Sequence, residues 1–119
     1  DAEGYISVVG RIKEQIRTGG EFVAPPEVDL VIRRHPAVAD AAVAGVPSVD
    51  WGEVVTAFVV LRPGQELDLA ELRRHCEASL ARFKVPRALQ IVDQIPRTES
   101  TGKVERRALV ALARGPGED

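Results

Sequence analysis

The sequence has no methionine, one tryptophan, one tyrosine and a single cysteine, Cys76, among 119 residues. One cysteine excludes a disulfide framework within the chain, and the simplest setting for it is a reducing cytoplasm. Cys76 and the two scattered histidines, His35 and His75, offer no zinc-ligand spacing. No metal site is therefore expected, and both histidines read as surface or helix-capping residues. No Ser-His-Asp arrangement can be assembled. No apolar run approaches the ~20 residues that cross a bilayer. The opening Asp1-Ala2-Glu3-Gly4 carries neither the basic nor the apolar region of a signal peptide. The missing initiator leads to the expectation that the chain is a piece of something longer.

Charge of one sign is also lacking. Eighteen acids against 16 bases leave a net charge of -2, which argues against a nucleic-acid binder working by bulk phosphate neutralisation. Hydrophobic residues at 45% and charged residues at 29% are an ordinary globular balance. The length suits one compact domain.

What is present alternates between strand and helix signals. Tyr5-Ile6-Ser7-Val8-Val9 is β-rich and is expected to pair with Gln15-Ile16-Arg17-Thr18 across a bend at Gly10, before Gly19-Gly20 breaks the pattern. Pro25-Pro26 followed by Glu27 suits a helix start. Val28, Val31 and Ile32 give that helix one apolar face, and Pro36 ends it near His35. Val38 to Val46 reads as a strand and Pro47-Ser48-Val49-Asp50 as a loop. Val54 to Leu61 is nearly continuous apolar, which fits a strand buried on both faces. Asp68 with Glu71 resembles a capping box opening a helix whose stripe is Leu69, Leu72, Cys76 and Leu80. Ala88 to Val92 is a further short strand, Glu105 to Ala113 a last helix, and Gly115-Pro116-Gly117 a frayed tail. Elements mix without strict alternation, so the expected fold is a small α+β domain with a mixed sheet and about three helices.

Four loops carry residues suited to chemistry. In Pro96-Arg97-Thr98-Glu99-Ser100-Thr101-Gly102-Lys103, Gly102 permits a tight bend beside a lysine, which acts as a compact point charge for phosphate or carboxylate. A phosphate-binding P-loop is excluded, because it needs glycine where Arg97 stands and Ser or Thr where Val104 stands. Arg17-Thr18-Gly19-Gly20-Glu21 allows close backbone approach to a ligand. Phe83-Lys84-Val85-Pro86-Arg87 pairs an aromatic with bases, as nucleotide stacking and phosphate contact require. Trp51 beside Gly52 is a loop aromatic of the kind that anchors partners or caps a core edge. Taken singly, a solvated lysine, a tight turn and a core phenylalanine explain these loops as well.

Their order is more informative than any one of them. Glu3-Gly4-Tyr5, Val9-Gly10-Arg11-Ile12-Lys13, Thr18-Gly19-Gly20-Glu21, Pro26-Glu27-Val28, His35-Pro36-Ala37-Val38, Gly45-Val46-Pro47, Trp51-Gly52-Glu53, Phe83-Lys84-Val85-Pro86 and Pro96-Arg97-Thr98 to Gly102-Lys103 follow one another along nearly the whole chain. The series resembles the C-terminal domain of the adenylate-forming superfamily: acyl-CoA synthetases, aryl-acid ligases and peptide-synthetase adenylation domains. The resemblance implies a lid domain, 15–114, preceded by a hinge and linking hairpin, 1–14, and followed by a flexible tail, 115–119. It implies a two-step reaction in which a carboxylate is joined to AMP with release of pyrophosphate and the acyl group then passes to a thiol, usually of coenzyme A. The lid swings between the two steps. ATP with Mg2+ and the acid are expected to bind a larger N-terminal domain.

By the same resemblance Lys103 matches the adenylation lysine, Lys13 the hinge position and Arg11 the arginine near the AMP ribose. Gly19, Gly20 and Glu21 match the loop lining the thiol channel. Phe83 and Arg87 match positions that touch the adenine and phosphates of coenzyme A, with Trp51 near the same channel. The Lys103 loop holds one residue more than the usual family spacing. The loop Thr18 to Val23 lacks the arginine-rich version of peptide-synthetase domains, which favours a CoA ligase or a stand-alone aryl-acid ligase, and Lys13-Glu14-Gln15-Ile16 leans towards the aryl-acid group. A different expectation is an isolated lid serving as substrate for a protein lysine acyltransferase at Lys103.

Overall fold

The structure, a computed structural model, describes residues 15–113. The elements are β1 (Ile16–Thr18), β2 (Glu21–Val23), α1 (Pro25–Arg33), β3 (Val38–Ser48), β4 (Gly52–Leu61), α2 (Leu69–Glu77), a 3-10 turn (Arg82–Lys84), β5 (Ala88–Ile91) and α3 (Arg106–Ala113). The sheet runs β2-β1-β4-β3, with β5 beside β4. All pairings are antiparallel except β4 with β5, which are parallel. The α+β expectation of a mixed sheet and three helices therefore holds among the described residues. The Tyr5–Val9 strand, Arg11, Lys13 and the hinge lie outside them.

β4 is the central strand. Its whole length on one edge pairs with β3, from Val38 opposite Leu61 to Ser48 opposite Gly52. Its other edge is shared, with β1 meeting it at Gly52 and β5 running along Thr56 to Val59. Both faces are covered, as the apolar run Val54 to Leu61 predicts. Val55, Ala57 and Val59 face Val28 and Ile32 of α1 and Leu72 and Cys76 of α2. Phe58 faces Leu109 of α3 and Ile95.

Two expectations change. β3 runs through Pro47 and Ser48, where a loop was expected. Among the described residues β3 is an edge strand, and a proline there removes only an N–H that no described neighbour uses. Gly19-Gly20 does not break a strand but turns one: Ile16 pairs with Val23, Arg17 with Phe22 and Thr18 with Glu21. Gly19 at φ 57 and Gly20 at φ 86 meet the demand of a two-residue hairpin for positive φ at both central positions.

Helix ends follow their sequence signals in part. Pro25-Pro26 opens α1. Asp68 Oδ1 accepts from Glu71 N at 2.8 Å and caps α2. The Glu71 side chain does not return to close the box. It pairs instead with Nε2 of His35 at 2.9 Å. His35 is buried rather than on the surface, because its ring bridges the end of α1 to α2. Its Nδ1 accepts from Ala37 N at 3.0 Å, which leaves Nε2 to carry the proton toward Glu71. His75 stands edge-on to it, ring centroids 5.0 Å apart, and its Nε2 donates to Val31 O at 2.7 Å. His75 caps, satisfying a carbonyl in the last turn of α1, while His35 holds the chain beyond the helix through Ala37 N.

Candidate functional site

Lys103 stands on a hairpin of its own. Arg97 and Val104 form an antiparallel bridge. Inside it Thr98 N donates to Lys103 O at 2.8 Å, and Gly102 N donates to Thr98 O at 2.7 Å. The loop between Thr98 and Lys103 ends on Gly102 at φ 74, a left-handed angle that glycine adopts without strain. Lys103 emerges immediately after it. Lys103 is exposed. Among the described residues no carboxylate pairs with it.

Two ion-pair systems fasten the hairpin. Before it, Arg97 forks onto Asp40, Nη1 to Oδ2 at 2.6 Å and Nη2 to Oδ1 at 3.1 Å. Arg33 from α1 approaches the same carboxylate at 3.4 Å. The Arg97 guanidinium holds the Asp40 carboxyl below its usual range, against the opposing effect of partial burial. After the hairpin, Arg106 reaches under the sheet edge. Its Nη2 meets Asp29 Oδ2 at 3.0 Å, and its Nη1 donates to Val43 O at 2.9 Å. Asp29 in turn accepts from Val43 N at 2.8 Å. Burial pushes the Asp29 carboxyl up, and Arg106 pulls it the other way. Arg106 Nε is buried without a partner among the described residues.

Between α1 and this hairpin lies a cleft of about 480 Å³, lined by Pro26, Asp29, Leu30, Arg33, Arg97, Gly102, Lys103, Val104 and Arg106. Four bases meet two carboxylates there, Asp29 in the wall and Asp40 behind Arg97, so the cleft is electropositive.

A second cluster sits at the far end of the β3–β4 hairpin. Gly19 N donates to Trp51 O at 3.0 Å, and a Cβ on Gly19 would meet the Trp51 ring at 3.0 Å. The Arg87 guanidinium lies over the Trp51 ring, 4.0 Å from its centroid. Gly19, Trp51 and Arg87 are thus brought together from three separate segments, with exposed Gly20 and Glu21 completing the β1–β2 turn beside them. Arg17 lies over exposed Phe22 on the same hairpin, 5.7 Å from the ring. Phe83 is placed differently. It packs partly buried against the core, with Lys84 at 5.7 Å from its ring and tied to Glu27 at 3.0 Å.

From Asp40 to Ser48 along β3 is roughly 26 Å at about 3.3 Å per residue. The Asp40 contact that fastens the Lys103 loop and the Trp51 cluster therefore lie toward opposite ends of one hairpin. Sequence reasoning picked out Lys103 and Trp51 but missed Asp29, Asp40 and Arg106, which fasten the Lys103 loop. The one available signal is a charge, Asp29, adjoining the apolar stripe of Val28, Val31 and Ile32. No group of three His, Cys, Asp or Glu among the described residues is placed to hold a metal ion. No described helix is long and apolar enough to cross a membrane.

Comparison with known proteins gives a consistent picture. A sequence profile described as the AMP-binding enzyme C-terminal domain matches residues 27–103, ending on the candidate lysine. A probable CoA ligase of Humulus lupulus is 46% identical over 107 residues, covering 90% of this chain and 20% of that protein. The sulfoacetate–CoA ligase of Cupriavidus necator is 44% identical over 110 residues, covering 92% and 21%. Among solved structures, MatB of Rhodopseudomonas palustris superposes with a TM-score of 0.78 at 36% identity, covering 90% of this chain and 21% of that one. The chain spans about a fifth of the length of the curated relatives it matches. With the family profile over most of its length and the same fold at this level of identity, the chain belongs to the family of AMP-binding enzyme C-terminal domains.

Proposed function

We propose that this chain is the mobile lid of an AMP-forming acid–thiol ligase and serves its two half-reactions from two ends. Lys103 serves the first. A carboxylate oxygen attacks the α-phosphorus of ATP, the bond to pyrophosphate breaks, and negative charge builds on the oxygens around phosphorus. An unpaired lysine on a closed, glycine-ended hairpin brings a point charge to that build-up at little reorganisation cost. The Trp51–Arg87 platform and the Gly19-Gly20 turn serve the second, in which a thiol sulfur attacks the acyl carbonyl and AMP leaves. An aromatic face under a guanidinium suits a nucleotide-bearing thiol such as coenzyme A. The turn has no Cβ atoms to obstruct a narrow thiol arm. The Mg2+ expected with ATP, the acid pocket and the ribose contact of Arg11 belong, on this reading, to the larger domain and the segment joining it.

The observation that carries the reading is that the Lys103 loop is fastened at Asp40, toward the open end of the β3–β4 hairpin, while the Trp51 cluster sits at its closed end. One active site cannot meet both ends at once, so both act only if the lid turns over between steps. In the longer enzyme, Lys103→Ala is expected to lower acid-dependent pyrophosphate exchange by about 10²–10³-fold, the usual scale for losing one stabilising donor to developing negative charge. Thioester formation from supplied acyl-adenylate should persist. Equal loss in both steps contradicts the assignment.

A further inference from the structure

We infer that Asp40 is a positioning residue for Lys103, its carboxylate clamping Arg97 at the foot of the lysine hairpin. The inference rests on the reading of Lys103 given above and adds a residue to it.

The internal hydrogen bonds of the hairpin, Thr98 to Lys103 and Gly102 to Thr98, fix its shape but not its direction. Direction comes from where its two legs are fastened. The leg after the lysine is fastened by Arg106 to the buried Asp29 and to Val43 O. That fastening, with Ile95 and Val104 packed on the Phe58–Leu109 cluster, holds the base of the hairpin, and the aim of its tip depends on the other leg as well. Among the described residues, the leg before the lysine has one charged attachment to the sheet, the Arg97 fork onto Asp40.

Asp40 is built for that contact. It falls where the β3–β4 register shifts, between Val38 and Asp40. Such an irregularity interrupts the ladder and re-aims a side chain. The carboxylate is then held in place by Ala41 N, which donates to Oδ1 at 2.9 Å, and by Arg33 Nε at 3.4 Å. An acid gripped by its own strand and by α1 presents both oxygens to Arg97 in the planar geometry a guanidinium matches.

The contact is partly exposed, with side chains 32% and 29% accessible. Ion pairs of that exposure contribute little to stability. Displacing a catalytic group by about 1 Å, in contrast, costs on the order of 10²-fold in rate. A contact of this kind therefore shows itself in one rate far more than in the melting temperature.

The test uses the longer enzyme that contains this chain, with Asp40→Asn, Arg97→Lys and Lys103→Ala side by side. Asp40→Asn keeps the size of the side chain and removes the charge that aligns Arg97. It should lower kcat for pyrophosphate exchange by about 10- to 100-fold with the KM for ATP little changed, as when an interaction made in the transition state is lost. Arg97→Lys keeps the charge and loses the fork, so its loss should be smaller. Thioester formation from supplied acyl-adenylate should stay at the wild-type value, and the melting temperature should fall no further than the loss of one partly exposed ion pair allows. Loss of both half-reactions together with a lowered melting temperature would make Asp40 merely structural and overturn the inference. So would unchanged exchange in Asp40→Asn while Lys103→Ala abolishes it. If Lys103→Ala itself leaves exchange intact, the reading of Lys103 fails, and the inference with it.

Discussion

A carboxylate decides the identity of Gly45. A Cβ there would lie 2.8 Å from Glu53 Oε1 and 2.9 Å from Ile16 Cγ2. Glu53 needs that space, because its Oε1 accepts from Arg17 N at 2.8 Å and ties β4 to β1. Gly45→Ala would push Glu53 off Arg17 and press on a core isoleucine, a form of overpacking that typically costs about 1–3 kcal/mol. Urea unfolding of the substituted chain is expected to show that loss, and an unchanged midpoint would mean that Glu53 moves aside freely. Cys76 makes a different prediction at the same scale. It is fully buried, and burial pushes its thiol up to about 11. Thiolate is the reactive form, so Cys76 should resist iodoacetamide at pH 8 in the folded chain and react readily in urea. Fast labelling of the folded chain would contradict its place in the core between α1 and α2.

At the scale of elements, α1, β3 and the lysine hairpin are joined through two carboxylates whose titrations run in opposite directions. Arg97 lowers the Asp40 carboxyl in the folded chain, so Asp40 contributes stability above the unfolded value near 3.9, and that contribution is lost as pH falls through the lower folded value. Asp29 is raised by burial, so its linkage has the opposite sign, favouring the folded chain at low pH and fading as pH rises through its folded value. Asp40→Asn should therefore make stability less sensitive to acidification from about pH 5 to 3, measured by urea midpoints across that range. A steeper acid dependence in the variant would contradict the Arg97 assignment. These couplings were the least legible part of the sequence. Val54 to Leu61 announced a doubly covered strand through its composition, and Pro25-Pro26 announced a helix start through a missing donor. Asp29 and Arg106 are 77 positions apart, and no local pattern links them. Pro47 misled because a proline excludes a central strand but not an edge strand, and edge position belongs to the sheet, not to the local sequence. Glu71 misled in part: its backbone N–H obeys the capping pattern, while its side chain answers to His35, 36 positions away.

For the whole molecule, the decisive feature is that the Asp40 end of the β3–β4 hairpin fastens the loop that carries Lys103 in an electropositive cleft, and the other end presents an aromatic face under an arginine beside a glycine turn. The motifs were legible singly and their order pointed to the family. Their placement at opposite ends was not legible, since Trp51 and Arg87 meet only through the folded sheet. Neither cluster includes a pocket enclosing an acid, so the isolated chain is expected to show no acid-dependent pyrophosphate exchange above blank. Exchange by the isolated chain would remove the need for a larger domain. The central claim is that the two ends serve different steps, and the most direct measurement sets Trp51→Ala beside Lys103→Ala in the longer enzyme, with both half-reactions followed in each. Loss of a stacking face is worth about 1–3 kcal/mol, so Trp51→Ala should slow thioester formation from supplied acyl-adenylate on the order of tenfold or more and spare pyrophosphate exchange, while Lys103→Ala does the reverse. If the two substitutions instead depress the same half-reaction, the two ends do not serve separate steps.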